Sequence, residues 1–246
     1  MTTARRELSV IVHTHNEYEN IRELCTRLFN ATKAVGLTAE LLVVDDESKG
    51  TIATNEIVED LKKTYPIRIH IRSKAEGRGL SSAVLLGFSK AKYETLLCMD
   101  ADLQHAPESV PFVAQPVLSG EAEFSVGSRN VPGGGVIALA SSLSGSTDPM
   151  SDCFCTTKTV LKRGEGRINP IGFKIGLELM VRCECKSVAD VPTIFQGESK
   201  LTTKQNFLCL MQLAGLYLDR HPLIYLGLVG AGLVTAAVIM RGIKLI

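Results

Sequence analysis

The sequence predicts an α/β protein with a doubly wound, mostly parallel sheet and a C-terminal transmembrane helix. Short apolar, often β-branched runs alternate with amphipathic stretches of about ten to fifteen residues, as in parallel strands connected by helices. Near the C-terminus, 18 residues without a charge run from Leu223 to Met240. As a helix, this run would rise about 27 Å, close to the hydrocarbon thickness of a bilayer. The 246 residues suffice for one such domain with a small appendage.

The first half of the chain contains the clearest strand and helix patterns. Asn16 offers an N-cap for the first helix, with Glu19 at the third helical position and apolar residues following at helical spacing. Further helices are predicted at about residues 52–64 and 81–91. The predicted strands are Leu8–Val12, Glu40–Val44, Ile67–Ile71, Thr95–Met99 and Glu121–Val126.

Beyond Gly127 the pattern loosens. Residues 130–150 are rich in Gly, Ser and Pro and predict a long loop, which we interpret as a lid. Three further elements lead to the uncharged segment: a helix around 171–182, a strand around 188–195 and a helix at 202–219.

We therefore predict one domain over residues 1–220 and a transmembrane anchor over residues 222–241. A buried C-terminal helix is the alternative for the anchor, because 18 residues are at the lower limit of spanning length. The charges that flank the segment are too even to fix its orientation.

The composition excludes several classes of protein. Lys and Arg number 27 against 26 acidic residues, so the formal net charge of +1 offers no basic field for nucleic acid. The N-terminus lacks the apolar stretch of a secretory signal. Seven cysteines suit a reducing compartment. Two C-x-C pairs, at Cys153 and Cys155 and at Cys183 and Cys185, differ from the C-x₂₋₄-C spacing of zinc sites, and we interpret them as buried residues.

Acidic residues follow the ends of three predicted strands. In a doubly wound sheet, ligands bind beyond the carboxyl ends of the strands, so these side chains should meet at one site. They are Glu17 after the first strand, Asp45 and Asp46 after the second, and Asp100 and Asp102 after the fourth.

Asp100 and Asp102 form a D-x-D pair directly after a buried strand, with no His or Cys array beside them. Carboxylates alone are hard oxygen ligands, which suit Mg²⁺ or Mn²⁺ bridging a diphosphate. Such an ion neutralises a leaving nucleoside diphosphate. An acidic pair that merely solvates a loop is the alternative, but the position at a strand end favours the metal site.

Five segments together resemble the family 2 glycosyltransferases. They are VVDDESKGT, MDADLQHAPE, VGSRN, TDPMS and GESKL, within a similarity that runs from Leu8 to about Tyr217. The segment MDADLQHAPE is shared widely in such enzymes. The combination of DPMS, GFKIGLEL and GESKL resembles the dolichol-phosphate mannosyltransferases, whose single-chain form also ends in a transmembrane anchor.

The resemblance implies a GT-A fold, GDP-mannose as donor, dolichyl phosphate as acceptor and inversion at the sugar carbon. The product would be dolichyl phosphate mannose for protein glycosylation and GPI-anchor synthesis. It implies an endoplasmic reticulum membrane protein whose catalytic domain faces the cytosol and needs no accessory subunit.

By the same resemblance, two groups of residues contact the donor. His13, His15 and Glu17 would line the nucleotide, and Val44 and Asp46 would lie near the base and ribose.

The second group holds the metal and the phosphates. Asp100, Asp102 and Gln104 would be the metal ligands, with Ala101 beside them at the diphosphate. Arg129 and Lys200 would meet phosphate charge, and Asp102 and Arg129 would be the catalytic residues.

The chain departs from the family pattern at several positions. His13 and His15 replace the Pro and Tyr of a P-T-Y-N-E motif, Lys49 replaces an Asp, and the family's SGFF reads Ser151-Asp152-Cys153-Phe154. The segment between Gly135 and Asp148 is shorter than in relatives and lacks their Trp and several Arg. An Arg that relatives place just before GESKL is also missing.

The missing arginines matter because charge-assisted contacts to phosphate contribute roughly 1.5–3 kcal/mol each. We expect Lys158, Arg163 or Lys174 to compensate if the chain is active. Two alternative functions remain open: a dolichyl-phosphate glucosyltransferase that uses UDP-glucose, whose relatives generally have an N-terminal anchor, and a non-catalytic membrane-bound binding subunit.

Overall fold

The computed structural model describes residues 6–77, 79–129, 135–170, 174–196 and 203–221. Within these ranges, no helix combines the length and the apolar character needed to cross a bilayer. The predicted anchor at 222–241 lies outside them, and so does Lys200.

The described residues form a seven-stranded mixed sheet with strand order β3-β2-β1-β4-β6-β5-β7. Neighbouring strands are parallel except where β6 lies antiparallel between β4 and β5. The strands are β1 (Glu7–Thr14), β2 (Thr38–Asp45), β3 (Ile67–Ile71), β4 (Thr95–Asp100), β5 (Phe124–Ser128), β6 (Phe154–Thr157) and β7 (Val188–Pro192).

Eight helices accompany this sheet in the described part of the chain. They are α1 (Tyr18–Ala34), α2 (Thr51–Leu61), α3 (Leu80–Lys90), α4 (Val110–Leu118), α5 (Gly135–Ser144), α6 (Lys158–Arg163), α7 (Ile175–Arg182) and α8 (Thr203–Arg220). Short 3₁₀ turns occur at Lys74–Glu76 and Pro107–Ser109.

The helices cover both faces of the sheet. Alternate strand residues such as Val10 and Ile11 point to opposite faces, so each central strand contributes to two cores. One core joins the sheet to α1, α2 and α4, and the other joins it to α3, α6 and α7. A third cluster packs α5 against α7 and α8.

The register brings the carboxyl ends of the central strands together. His13 at the end of β1 pairs with Val44 of β2 on one side and with Asp100 of β4 on the other. The predicted clustering of polar residues at one edge therefore follows directly from the strand order.

The sheet agrees with the predicted α/β class, but a predicted loop is a helix and two further elements were missed. Residues 135–144, predicted as part of a long loop, form α5, where Ala140 and Leu143 are buried. The Gly and Ser residues of this segment favoured a loop prediction. Its apolar residues nevertheless have the spacing of a helix that packs against α7 and α8. The short strand β6 and the helix α6 were not predicted at all.

Asn16 was predicted to cap α1 and does not. Its backbone is left-handed, with φ of 68°, and its side-chain oxygen accepts a hydrogen bond from the Gly50 backbone nitrogen at 3.0 Å. The helix begins instead after Glu17, which makes no side-chain cap. Asn16 thus joins the loops that follow β1 and β2, and so stabilises the edge where the acidic residues lie.

Gly87 of α3 marks the closest approach between a helix and the sheet. A Cβ added there would lie 2.5 Å from Ile11 Cγ2 and 3.2 Å from Val44 Cγ2, in the core of the sheet. Gly87→Ala should therefore destabilise the fold by about 1–3 kcal/mol. Thermal unfolding followed by circular dichroism measures the loss.

Gly215→Ala is the matched control, because no atom lies within 4 Å of a Cβ added at that α8 position. It should leave stability unchanged or raise it by about 0.5–1 kcal/mol. Equal melting temperatures for the two variants would contradict the close packing of α3 on the sheet.

Candidate active site

The candidate site lies where β1, β2, β4 and β5 end and where β6 begins. Beyond these strand ends lie Asp46, Asp100, Asp102, Arg129 and Asp152. The neighbouring strands bring them to the same edge, although up to about a hundred residues of sequence separate them.

Asp46 is held by a fully buried arginine. Arg72 Nε donates to Asp46 Oδ1 at 2.6 Å and Nη2 bonds the same oxygen, while the Gly79 nitrogen donates to Asp46 Oδ2 at 2.8 Å. Arg72 also reaches Ser82 Oγ and the Gly79 carbonyl, so it fixes the start of α3. Burial opposes ionisation, but these bonds keep the pKa of Asp46 below its ordinary value.

Asp45, its neighbour, has a structural role. Its oxygens accept hydrogen bonds from Thr14 Oγ1 and the Glu47 nitrogen at 2.9 Å, and from Thr51 Oγ1 at the start of α2. These contacts tie the ends of β1 and β2 to the helix. Asp45 therefore holds the loop from which Asp46 projects.

The predicted nucleotide residues lie at this edge with different exposures. His13 Nε2 lies 3.1 Å from Asp46 Oδ2 without a well-aligned hydrogen bond, and burial lowers the pKa of His13 despite that carboxylate. His15 is exposed and Glu17 is half-buried. The Val44 side chain is fully buried in the sheet core, so only the backbone of Val44 can face the site.

Asp100 and Asp102 lie together at the end of β4, with Ala101 buried between them. Burial, then Asp152, then Asp102 raise the pKa of Asp100 well above its ordinary value. Asp102 Oδ1 accepts a hydrogen bond from the Gln104 nitrogen at 3.1 Å, across a turn in which Leu103 has φ of 61°. Gln104 is half-buried and follows this pair in the chain.

Sequence reasoning missed the role of Asp152 beside this pair. Lys174 Nζ donates to Asp152 Oδ2 at 2.8 Å and to the Met150 carbonyl at 2.9 Å, and the lysine is almost completely buried. Asp152 Oδ1 is buried without a hydrogen-bond partner among the described residues.

Arg129 is engaged by Asp148 of the TDPMS segment. Arg129 Nε donates to Oδ2 at 2.9 Å, Nη2 donates to Oδ1 at 2.7 Å, and the backbone nitrogen donates to Oδ2 at 2.9 Å. The guanidinium lies 5.5 Å from the centre of the Phe195 ring. Arg129 was predicted to meet phosphate, and Nη1 takes no part in the bonds to Asp148.

His105 is a buried residue close to the same arginine. Its ring packs against Phe195 at 5.0 Å, and burial together with Arg129 lowers the pKa of His105 to about 4. The imidazole is therefore neutral near pH 7 and contributes packing rather than charge.

Of the three cations expected to compensate for missing arginines, Lys174 alone adjoins the site. Lys158 follows β6 and bonds the Ala91 carbonyl, and Arg163 pairs with Glu123. Both lie near the start of β4 and β5, at the opposite edge of the sheet. That part of the expectation was wrong, because β6 runs antiparallel and carries its end away from the site.

The donor set suits a hard divalent cation. Asp100 and Asp102 are carboxylates, and burial followed by the neighbouring carboxylates raises the pKa of Asp100. Across the described ranges, no three His, Cys, Asp or Glu side chains are grouped to hold an ion by themselves. An ion would therefore take further ligands from backbone or amide oxygens, waters or substrate phosphate, which is usual for Mg²⁺.

Five of the seven cysteines are buried and two, Cys185 and Cys209, are half-buried, which agrees with the prediction of buried or partly buried residues. All seven are free, and burial raises the pKa of the thiols, with Cys153 at about 12. Cys153 and Cys155 share one face of the sheet. High pKa values make such thiols poor nucleophiles and poor metal ligands.

The model of the glycosyl transferase family 2 matches residues 9–169, which contain both β4 with its carboxylates and the Asp46 network. The chain belongs to this family. The prediction that it is a glycosyltransferase is thereby confirmed.

Curated relatives within this family are named dolichol-phosphate mannosyltransferase. The Pyrococcus furiosus protein is 38% identical over 82% of this chain, and the chain spans 61% of that protein's length. The Mycosarcoma maydis protein is 36% identical over 91% of this chain and 84% of its own length. These relatives confirm the resemblance seen in DPMS, GFKIGLEL and GESKL.

Solved structures confirm the GT-A-like fold of the described domain. Mannosyl-3-phosphoglycerate synthase from Rubrobacter xylanophilus superposes with a TM-score of 0.66 at 16% identity, over 88% of this chain and 75% of that one. Glucosyl-3-phosphoglycerate synthase from Mycobacterium tuberculosis, in complex with Mn²⁺, UDP-glucose and phosphoglyceric acid, gives 0.59 at 18% identity over 87% and 79%. At these identities the likeness concerns the fold alone.

Removing the charge of Arg72 should destabilise the protein more than removing any other charge of the Asp46 network. Arg72→Met leaves the buried Asp46 carboxylate unpaired and should cost about 3–5 kcal/mol of unfolding free energy. Urea denaturation measures the loss. Arg22→Met is the control, because its pair with Asp60 is largely exposed. Equal effects of the two changes would contradict a buried Arg72–Asp46 pair.

Asp148 should give the stability a defined pH dependence. Burial raises the pKa of Asp148, but the hydrogen bonds and charge of Arg129 hold the folded pKa below the ordinary value. The pair therefore stabilises fully above the unfolded pKa of about 4, and this contribution is lost as the pH falls through the folded pKa. Asp148→Asn should cost about 1.5–3 kcal/mol at pH 7.

Urea denaturation of wild type and Asp148→Asn at pH 7 and pH 3 tests this expectation. The difference between the two proteins should shrink at the lower pH. A difference that is the same at both pH values would show that Asp148 acts through its shape rather than its charge.

Proposed function

We propose that the chain transfers mannose from GDP-mannose to dolichyl phosphate, forming dolichyl phosphate mannose for protein glycosylation and GPI-anchor synthesis. The observation that carries this proposal is the Asp100–Asp102 pair at the end of β4 in a family 2 domain. The names of the relatives indicate the sugar and the class of acceptor. The donor follows from the sequence resemblance.

We propose that residues 222–241 hold the protein at the endoplasmic reticulum membrane, with the domain facing the cytosol. The support is the uncharged run of 18 residues from Leu223 to Met240, which follows α8 closely. A lipid-linked acceptor requires an enzyme at the membrane. We propose that no accessory subunit is needed.

Asp100 and Asp102, with Gln104 beside them, would hold Mg²⁺ or Mn²⁺, and the bound ion would neutralise the departing diphosphate. Support for a metal comes from the Mn²⁺ complex of the structural neighbour from Mycobacterium tuberculosis. The protein's own part is to keep these carboxylates at the strand end and to keep water from the buried side of Asp100.

The other site residues bind and orient the substrates. Asp46, which Arg72 fixes, is the proposed partner of the donor nucleoside, with His13 and His15 beside it. Arg129, oriented by Asp148, offers positive charge to phosphate. Dolichyl phosphate is a monoester with a second pKa of about 6, so it attacks without a strong general base and the sugar carbon inverts in a single displacement.

Asp102→Ala should lower metal-dependent mannose transfer by about 100-fold or more, because the ion contributes several kcal/mol to charge stabilisation. The assay uses the full chain in membranes with labelled GDP-mannose, dolichyl phosphate and either Mn²⁺ or chelator. Asp60→Ala removes an exposed carboxylate on α2 and should retain wild-type activity.

The same assay separates this proposal from its rivals. Mannolipid that forms only with metal is the expected result. Glucolipid formed from UDP-glucose would show that the donor is UDP-glucose rather than GDP-mannose. Nucleotide binding without any glycolipid product would instead support a non-catalytic subunit, and activity that survives Asp102→Ala would overturn the metal assignment.

A further inference from the structure

Asp152 precedes β6 by two residues, and continuing the β4–β6 register beyond its last pair leads from this residue to Asp100. The antiparallel register runs from Thr95 opposite Thr157 to Cys98 opposite Phe154. Two residues further along β4 and two residues back from β6, the same register places Asp100 opposite Asp152. Directly opposed residues have Cβ atoms about 4.5–5.5 Å apart. After burial, Asp152 is also the neighbour that acts most strongly on Asp100, ahead of Asp102.

The two oxygens of Asp152 have different surroundings. Oδ2 accepts a hydrogen bond from Lys174 Nζ at 2.8 Å. Oδ1 is buried and has no hydrogen-bond partner within the described ranges. Like charges opposed across strands are destabilising, and a buried carboxylate oxygen without a donor adds a further cost. This arrangement therefore needs a donor or a cation beside Oδ1.

Position 152 departs from the sequence resemblance, in which a glycine stands where this chain has Asp152. The carboxylate oxygen that Lys174 does not contact therefore adds a hydrogen-bond acceptor near Asp100.

We infer that Asp152 is an outer carboxylate of the divalent-cation site. Oδ1 accepts a hydrogen bond from a water bound to the ion that Asp100 and Asp102 hold, while Oδ2 stays with Lys174. This position agrees with the absence of three grouped ligand side chains in the described ranges. Mg²⁺ and Mn²⁺ retain waters in such sites, and outer partners typically change metal affinity by about 10–100-fold. The inference rests on the metal site of the proposed function.

The test measures Mn²⁺ affinity of the full chain in the presence of GDP, by electron paramagnetic resonance of the free ion. Asp152→Asn keeps the shape and removes the charge, and should weaken Mn²⁺ binding about tenfold. Asp152→Glu keeps the charge and should bind Mn²⁺ more tightly than Asp152→Asn. Asp60→Asn, a carboxylate on α2 paired with Arg22 and Lys63, is the charge-matched control and should bind as wild type.

Lys174→Met distinguishes a direct effect of Asp152 on the ion from an effect through the lysine. If Asp152 acts on the ion, removing the neighbouring cation should leave Mn²⁺ affinity equal or higher. An equal loss in Lys174→Met and Asp152→Asn would show that Asp152 only positions Lys174, and would overturn the inference. Melting temperatures identify any variant that does not fold, and the comparison of Asn with Glu at position 152 then decides.

Asp102→Ala separates this inference from the proposed function. Mn²⁺ binding that Asp102→Ala abolishes and Asp152→Asn leaves unchanged would overturn the role of Asp152 alone. A wild-type protein that binds no Mn²⁺ would overturn both.

Discussion

The mostly parallel sheet brings several carboxylates to one edge, and cations pair with three of them. Arg72 pairs with Asp46, Arg129 with Asp148 and Lys174 with Asp152. Buried pairs of this kind add little net stability, because desolvation offsets their attraction. Their consequence is positional: each fixes one carboxylate and the loop that bears it. In the described part of the chain, Asp100 forms no ion pair of its own, although Lys174 acts on it from a distance.

The sequence allowed the sheet and this edge to be predicted because both depend on local patterns. β1, β2 and β4 are short apolar runs that end in polar residues, and their alternation with helices indicates that they are parallel. Asp46, Asp100 and Asp102 were found by that reasoning alone. Family resemblance then added Arg129, Gln104 and the histidines, whose individual surroundings in the sequence give no signal.

The partners of those residues were not predictable, because they depend on tertiary contacts. Arg72 lies in a polar stretch that reads as a surface turn, yet its side chain is fully buried. The pairing of Asp152 with Lys174 joins a loop before β6 to the residue before α7. β6 itself has four residues and breaks the parallel order, so nothing in its length or periodicity showed that Asp152 would lie opposite Asp100.

The charges of the described residues indicate an order of binding under the proposed function. The three ion pairs are each neutral, and among the described residues no ion pair neutralises Asp100 or Asp102. A nucleoside diphosphate that entered alone would meet like charge, in surroundings where burial strengthens repulsion. A divalent cation that enters first, or together with the donor, reverses that sign. The negative charge that disfavours the free diphosphate is therefore the same property that selects the metal complex of the donor.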